Sequence, residues 1–131
     1  MSQGPTADQE DNAGNEASLR AFEALAHLWQ LSELERLTLL GFSSSEEYQA
    51  LRSVPLAKTP AGLRERVSLM LDIYQTLWVL LPLPSAAHGW LRRPNQAKLF
   101  GGDSALDFIQ RRGIEGLREV RAYLKAEAWG N

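Results

Sequence analysis

Apolar residues recur along this chain at helical rather than strand spacing. Leu19, Phe22, Leu25, Ala26 and Trp29 fall three and four residues apart, which places them on one helix face behind Ser18 as N-cap. Ser32-Glu33-Leu34-Glu35 is a capping-box pattern ahead of Leu34, Leu37 and Leu40, and Gly41 supplies a left-handed stop. Ser43, Ser44 and Ser45 offer N-caps to a third helix over about residues 46–52, with Glu46 and Glu47 in its first turn. Pro55 and Pro60 bracket a linker. A long helix is predicted from Ala61 to Leu81. Leu63, Val67, Met70, Tyr74, Leu77 and Leu81 form its main stripe, and Leu69, Ile73 and Val79 make it apolar on most sides. Such a helix is central, covered by other helices or by a second subunit.

Pro82 and Pro84 end the long helix, and Ser85 caps a short one reaching about Arg92. Pro94-Asn95 breaks the chain again, and a loop follows from Gln96 to Gly102. A further helix starts at Asp103 or Ser104 and stops at Gly113. A last amphipathic helix runs through Leu117, Val120, Tyr123 and Leu124 to about Ala128. No segment of useful length has strand period, so the predicted fold is all-α. Its first three helices, with a glycine turn before the third, match a helix-turn-helix arrangement. That divides the chain into a disordered acidic tail (1–17), a helix-turn-helix unit (18–55) and a C-terminal helical domain (61–131). The tail assignment rests on its Ser, Gly, Asp, Asn and Gln content, which buries too little apolar surface to offset ordering entropy.

Composition narrows the chemistry. Hydrophobic residues make up 44% and charged residues 23% of 131 residues, ordinary for a water-soluble domain. The chain has no cysteine, so disulfides and thiolate metal sites are excluded. No secretory signal is visible, and a cytoplasmic location is expected. The most apolar stretch, Val67 to Leu83, contains Asp72 and Gln75 and reads as a buried helix rather than a membrane span. His27 and His88 lack ligand-spaced partners, and there is no HExxH, P-loop, GxSxG or GxGxxG pattern. No catalytic residue, metal or cofactor is expected, and the reading is a binding protein, not an enzyme.

Charge is unevenly spread. Residues 1–17 carry four acidic residues and no Lys or Arg. Residues 90–125 carry eight basic residues against four acidic ones, a net +4. That half is expected to face an acidic partner. Residues 18–53 carry three basic against five acidic residues, a net −2 that offers little phosphate attraction.

At Trp90 the chain becomes recognisable. Trp90-Leu91-Arg92-Arg93-Pro94-Asn95, then Leu99-Phe100-Gly101-Gly102, then Ser104-Ala105-Leu106-Asp107-Phe108, resembles the signature of the toxin-binding domain of Xre/MbcA/ParS-type antitoxins. The preceding Ile73-Tyr74-Gln75-Thr76-Leu77 with Leu81-Pro82 is also similar, so the resemblance covers about residues 63–126. Leu28-Trp29-Gln30-Leu31-Ser32-Glu33-Leu34-Glu35 with Leu39-Leu40-Gly41-Phe42 resembles, more weakly, the Xre-type helix-turn-helix of the same antitoxins. The resemblance implies a type II toxin–antitoxin system whose antitoxin neutralises a RES-domain toxin, an enzyme that degrades NAD. It also implies a homodimer and, in many members, repression of the operon through operator DNA.

On that reading the expected toxin contacts are Arg92, Arg93, Lys98, Phe100, Arg118, Arg121, Tyr123 and Trp129. An arginine fork suits carboxylates, and interface anchors favour Trp, Tyr and Arg. Trp90, Pro94, Asn95, Gly101 and Gly102 are expected to shape the loop. Ser44, Ser45, Tyr48, Gln49 and Arg52 are the expected DNA-reading residues. The competing readings are a DNA-binding repressor in its own right and a non-catalytic adaptor or localisation protein.

Overall fold

The structure, a computed structural model, describes residues 7–53, 60 and 62–130, with side chains described over 13–50, 60 and 62–130. The described residues form seven α-helices: α1 (Ala7–Leu28), α2 (Glu33–Leu40), α3 (Ser45–Ser53), α4 (Leu63–Leu80), α5 (Pro84–Gly89), α6 (Ala105–Arg112) and α7 (Ile114–Trp129). A 3₁₀ turn, Trp90–Arg92, follows α5. Among the described residues there is no strand, only an isolated bridge between Pro94 and Ser104. The fold is all-α, as the spacing predicts.

The punctuation residues act as expected. Ser32 Oγ accepts the Glu35 amide, and Glu35 Oε1 accepts the Ser32 amide at 2.8 Å, completing the capping box. Gly41 ends α2 at φ +88°, where an L side chain is strained. Ser104 caps α6 by accepting the Asp107 amide at 3.0 Å. Elsewhere the boundaries differ. Pro84, not Ser85, opens α5, because its fixed φ suits the first helical position where no donor is needed. The expected helix to Arg92 tightens into the 3₁₀ turn before Pro94, since the residue preceding a proline is pushed out of the α region. The Pro55 end of the linker lies outside the described residues.

The larger difference is at the start. α1 begins at Ala7, so residues 7–17, expected as part of a disordered tail, are helical. Composition hid two things. Ala13 and Ala17 are strong helix formers that extend a helix already nucleated by the Phe22–Trp29 face. Asn15 also has a tertiary partner, its Oδ1 accepting from Arg64 Nε at 3.0 Å.

α4 is the axis of the fold, as its apolar composition predicts. α7 lies along one side of it: Arg118 pairs with Glu65 near the N-terminal ends, and further along Asp72 pairs with Arg121 and Lys125. The two helices therefore run in the same direction. α1 lies on the other side in the same sense, with Asn15 at Arg64 and Trp29 edge-on to Tyr74. Met70, Ile73 and Leu77 of α4 are fully buried between them. The buried side chains make one continuous cluster from Phe22 to Leu124, spanning both the N-terminal helices and the C-terminal domain.

Candidate functional site

The segment from Trp90 to Ser104 is a wound loop tied to itself. Asn95 donates its amide to the Asp103 carbonyl at 3.1 Å, and its own carbonyl accepts from Gly102 at 2.9 Å. Asn95 Oδ1 accepts the Ala97 amide, a local turn that reverses the chain. Gly101 and Gly102 sit at φ +60° and +97°, positions that glycine fills without strain. The loop's backbone groups are thus largely spent internally, through the Asn95 turn and the left-handed Gly101 and Gly102. Pro94 forms the small bridge to Ser104 that closes it.

This winding turns Phe100 inward. Phe100 is 3% exposed and meets Trp90, Phe108 and Tyr123, each near edge-on, at centroid distances of 5.8, 5.4 and 5.4 Å. The expected toxin contact at Phe100 is instead the hub of the loop's core. Tyr123 is half-buried against it, and burial holds its phenol above the usual range. Trp90 is likewise half-buried scaffold.

The basic residues are mostly engaged within the chain. Arg92 makes a two-pronged ion pair with Glu35 at 2.7 and 3.1 Å, and donates to the carbonyls of Trp29 at 3.3 Å and Gln30 at 2.6 Å. Its guanidinium holds the Glu35 carboxyl below the usual range, outweighing partial burial. Arg93 folds back onto the Ser85 and Ala86 carbonyls of α5. Arg111 pairs with Asp103, Arg112 with Glu119, and Arg118 with Glu65 and Glu115. Arg121 and Lys125 converge on Asp72. Burial alone would raise the Asp72 carboxyl, but the hydrogen bonds from Lys125 and Arg121 hold it below its ordinary value. The expected electropositive face is therefore largely neutralised by α4, α2 and its own helices. Lys98, at the exposed loop tip, has no ion-pair partner among the described residues.

Trp129 differs from the other expected contacts. It is 61% exposed at the end of α7, with Lys125 Nζ 4.9 Å from its ring centroid. Because α4 and α7 run together, the C-terminal end of α4 is nearby, and there Val79 and Leu83 are also exposed, at 57% and 68%. Pro82 and Pro84 are exposed between and beside them. Val79, Leu83 and Trp129 are three of the four large apolar side chains exposed among the described residues, the fourth being Leu34 on α2. The sequence reading named Val79 only as part of the apolar surround of α4 and Leu83 only as the end of its apolar stretch, neither as a partner contact. The available signal was the apolar character of α4 on nearly every side, more than α1 and α7 can cover.

The expected DNA-reading residues are brought together on α3 but are largely occupied. Tyr48 is fully buried, and its hydroxyl donates to Glu23 Oε1 at 2.9 Å; it belongs to the core. A tyrosine four residues from the Ser44 cap falls on the inner face of α3, against Phe42. Ser44 caps α3 through the Glu47 amide. Ser45 and Gln49 both donate to Glu33, on α2. The side chain of Arg52 lies outside the described residues. Exposed Glu46 and Glu47 flank the same surface.

His88 stacks on Tyr74 at 6.1 Å and meets Trp78 edge-on, so it is structural. Among the described residues no group of three or more His, Asp or Glu is placed to hold a metal ion, and no helix is long and apolar enough to cross a membrane.

Comparison with known proteins places this geometry. No solved structure matches the chain. The uncharacterised protein y4oB of Sinorhizobium fredii is 33% identical over 92% of this chain and 91% of its own length, so the likeness includes the N-terminal helices. The profile of the antitoxin Xre/MbcA/ParS C-terminal toxin-binding domain matches residues 80–130, which begins at the last residue of α4 and takes in Leu83, the wound loop, α6, α7 and Trp129 but not Val79. Residues 80–130 therefore belong to the Xre/MbcA/ParS antitoxin family, as its C-terminal toxin-binding domain.

Proposed function

We propose that this protein is the antitoxin of a type II toxin–antitoxin pair and neutralises a RES-domain, NAD-degrading toxin by docking the apolar end formed by Val79, Leu83 and Trp129. The observation that carries this reading is Trp129. It lies within the toxin-binding domain, is 61% exposed, and sits toward the same end of the parallel α4–α7 pair as the exposed Val79 and Leu83. Monomeric proteins seldom leave such residues clustered in water without a partner. Interface anchors are enriched in tryptophan, and the ring is steadied by Lys125, which lowers the ordering cost of docking. Lys98 supplies a separate positive contact at the loop tip. Arg92, Arg93, Arg118 and Arg121 act as internal supports on this reading, and the protein works by binding, not by catalysis, as a cytoplasmic homodimer.

The test pairs the full chain with the RES-type toxin encoded beside it. Titration calorimetry is expected to give binding, and an NAD-hydrolysis assay is expected to give inhibition. Trp129→Ala should weaken binding by at least tenfold while leaving the melting temperature within about 2 °C of the parent, since an exposed side chain contributes little to stability. A chain that neither binds nor inhibits that toxin would overturn the pairing. Unchanged binding by Trp129→Ala would overturn the docking surface alone.

Repression through operator DNA is the secondary reading, supported by the α2–Gly41–α3 arrangement. Glu33, Glu46 and Glu47 on that surface oppose phosphate contact. A gel shift on the operon's own promoter, with and without toxin, decides it: no specific shift at low salt removes the reading.

A further inference from the structure

The Arg92 side chain joins two parts of the chain some sixty residues apart. It leaves the 3₁₀ turn after α5, inside the toxin-binding domain, and reaches the corner between α1 and α2. There it meets three separate features of that corner. It donates to the carbonyls of Trp29 and Gln30, the last groups of the turn. It also grips both oxygens of Glu35. Glu35 is the residue that closes the α2 capping box. Gln30 sits at φ +54°, in the left-handed region that a non-glycine residue adopts only when its surroundings hold it there. The Glu35 side chain is 18% exposed and that of Arg92 is 40% exposed, so the guanidinium is the half of the pair open to solvent.

We infer that Arg92 is a latch: it positions the α2–α3 pair on the toxin-binding domain, and releasing it loosens those two helices, which keep their buried contacts through Leu40, Phe42 and Tyr48, without unfolding the α4–α7 core. Three observations favour a latch over an ordinary surface ion pair. Isolated exposed pairs contribute little, but this one is two-pronged and adds two carbonyl acceptors on a strained turn. Its removal leaves a defect confined to one corner, because α4 and α7 are held together by their own pairs at Glu65 and Asp72. The described loops that join α2 to its neighbours are short: residues 29–32 before it and 41–44 after it. Loss of the corner therefore passes directly to α3. The trigger that the chemistry allows is a competing oxyanion, a carboxylate of a docked protein, at the exposed guanidinium.

Hydrogen exchange on the full chain, read residue by residue, tests the latch without any partner. Arg92→Ala is expected to speed exchange at least tenfold over residues 33–50, with α4 and α7 changed less than twofold. Glu35→Gln should give the same regional pattern. Gln serves the capping box as Glu does, so this variant removes the ion pair and spares the cap. Arg92→Lys, a single ammonium nitrogen in place of a planar fork, should fall between parent and Arg92→Ala. If Arg92→Ala does not fold, Glu35→Gln carries the same expectation. Protection of residues 33–50 unchanged in both single variants would overturn the proposal. So would faster exchange spread evenly through α4 and α7, which would mark a loss of global stability only.

Discussion

Replacing Phe100 by alanine separates a core residue from a partner contact, and the size of the effect can be worked out from the structure. Phe100 is 3% exposed, so truncation removes a full aromatic ring from the interior. Burial and cavity terms for Phe→Ala come to about 3–5 kcal/mol. Three near-perpendicular ring contacts, at 5.4–5.8 Å, end with it, and each such pair contributes on the order of 0.5–1.5 kcal/mol beyond area. Part of that is already within the truncation figure, and the wound loop can relax somewhat. The expected loss is about 4 kcal/mol, a large share of the roughly 5–15 kcal/mol that holds a domain together. For a chain of this length a kilocalorie moves the melting temperature by about 4 °C, so the midpoint should fall by about 15 °C. Calorimetry and urea titration of Phe100→Ala against the parent measure it. Phe100→Leu should recover more than half, since it refills most of the volume. A shift below about 4 °C, with toxin binding lost, would refute the packing argument and return Phe100 to the partner surface.

Two further substitutions test the helix pairs. Gly116 lies where α7 crosses α6, and a Cβ there would meet the Ile109 Cα at 3.1 Å and the Arg112 Cβ at 3.0 Å. Alanine at an open helical site would gain about 1 kcal/mol from propensity. Here overpacking, about 1–3 kcal/mol, should win, so Gly116→Ala is expected to lower the melting temperature; a rise would mean that the crossing yields freely. Asp72, held below its ordinary pKa by Lys125 and Arg121, contributes stability above the unfolded carboxylate value near 3.9, and loses it as pH falls through the lower folded value. Asp72→Asn should cost about 1 kcal/mol at pH 7, with the gap to the parent closing below about pH 4 in pH-dependent melts; a gap independent of pH would deny the ion pair its role.

What could be read from the sequence follows from what local pattern encodes. The α2 capping box, the Gly41 stop and the Ser104 cap are interactions between residues three or four apart, and all three are present. The apolar stripe of α4 and its central place follow from helical period alone. Phe100 was misread because a loop has no period to say which way a side chain points. Only the Asn95 turn and the two left-handed glycines fix that, and they act together. Tyr48 was misplaced for a related reason: its inward face depends on the turn at Gly41, and its hydroxyl partner, Glu23, lies on another helix. The helical reach of α1 to Ala7 was hidden because composition describes a segment in isolation, whereas Asn15 is held by Arg64.

The charge count misled most instructively, because a net charge counts side chains without their partners. Residues 90–125 carry +4, and the arithmetic is sound. Yet the balance is supplied from outside that stretch, by Glu35 on α2 and by Glu65 and Asp72 on α4. Those three carboxylates turn four of the basic residues, Arg92, Arg118, Arg121 and Lys125, into ties between the toxin-binding domain and the rest of the chain. A partner that needed those guanidiniums would first have to break the ties, at the cost of leaving carboxylates behind. An apolar partner surface meets no such opposition at Val79, Leu83 and Trp129, which are already exposed. On the proposed reading the affinity therefore comes from the apolar end, and the arginines place that end relative to α2 and α4.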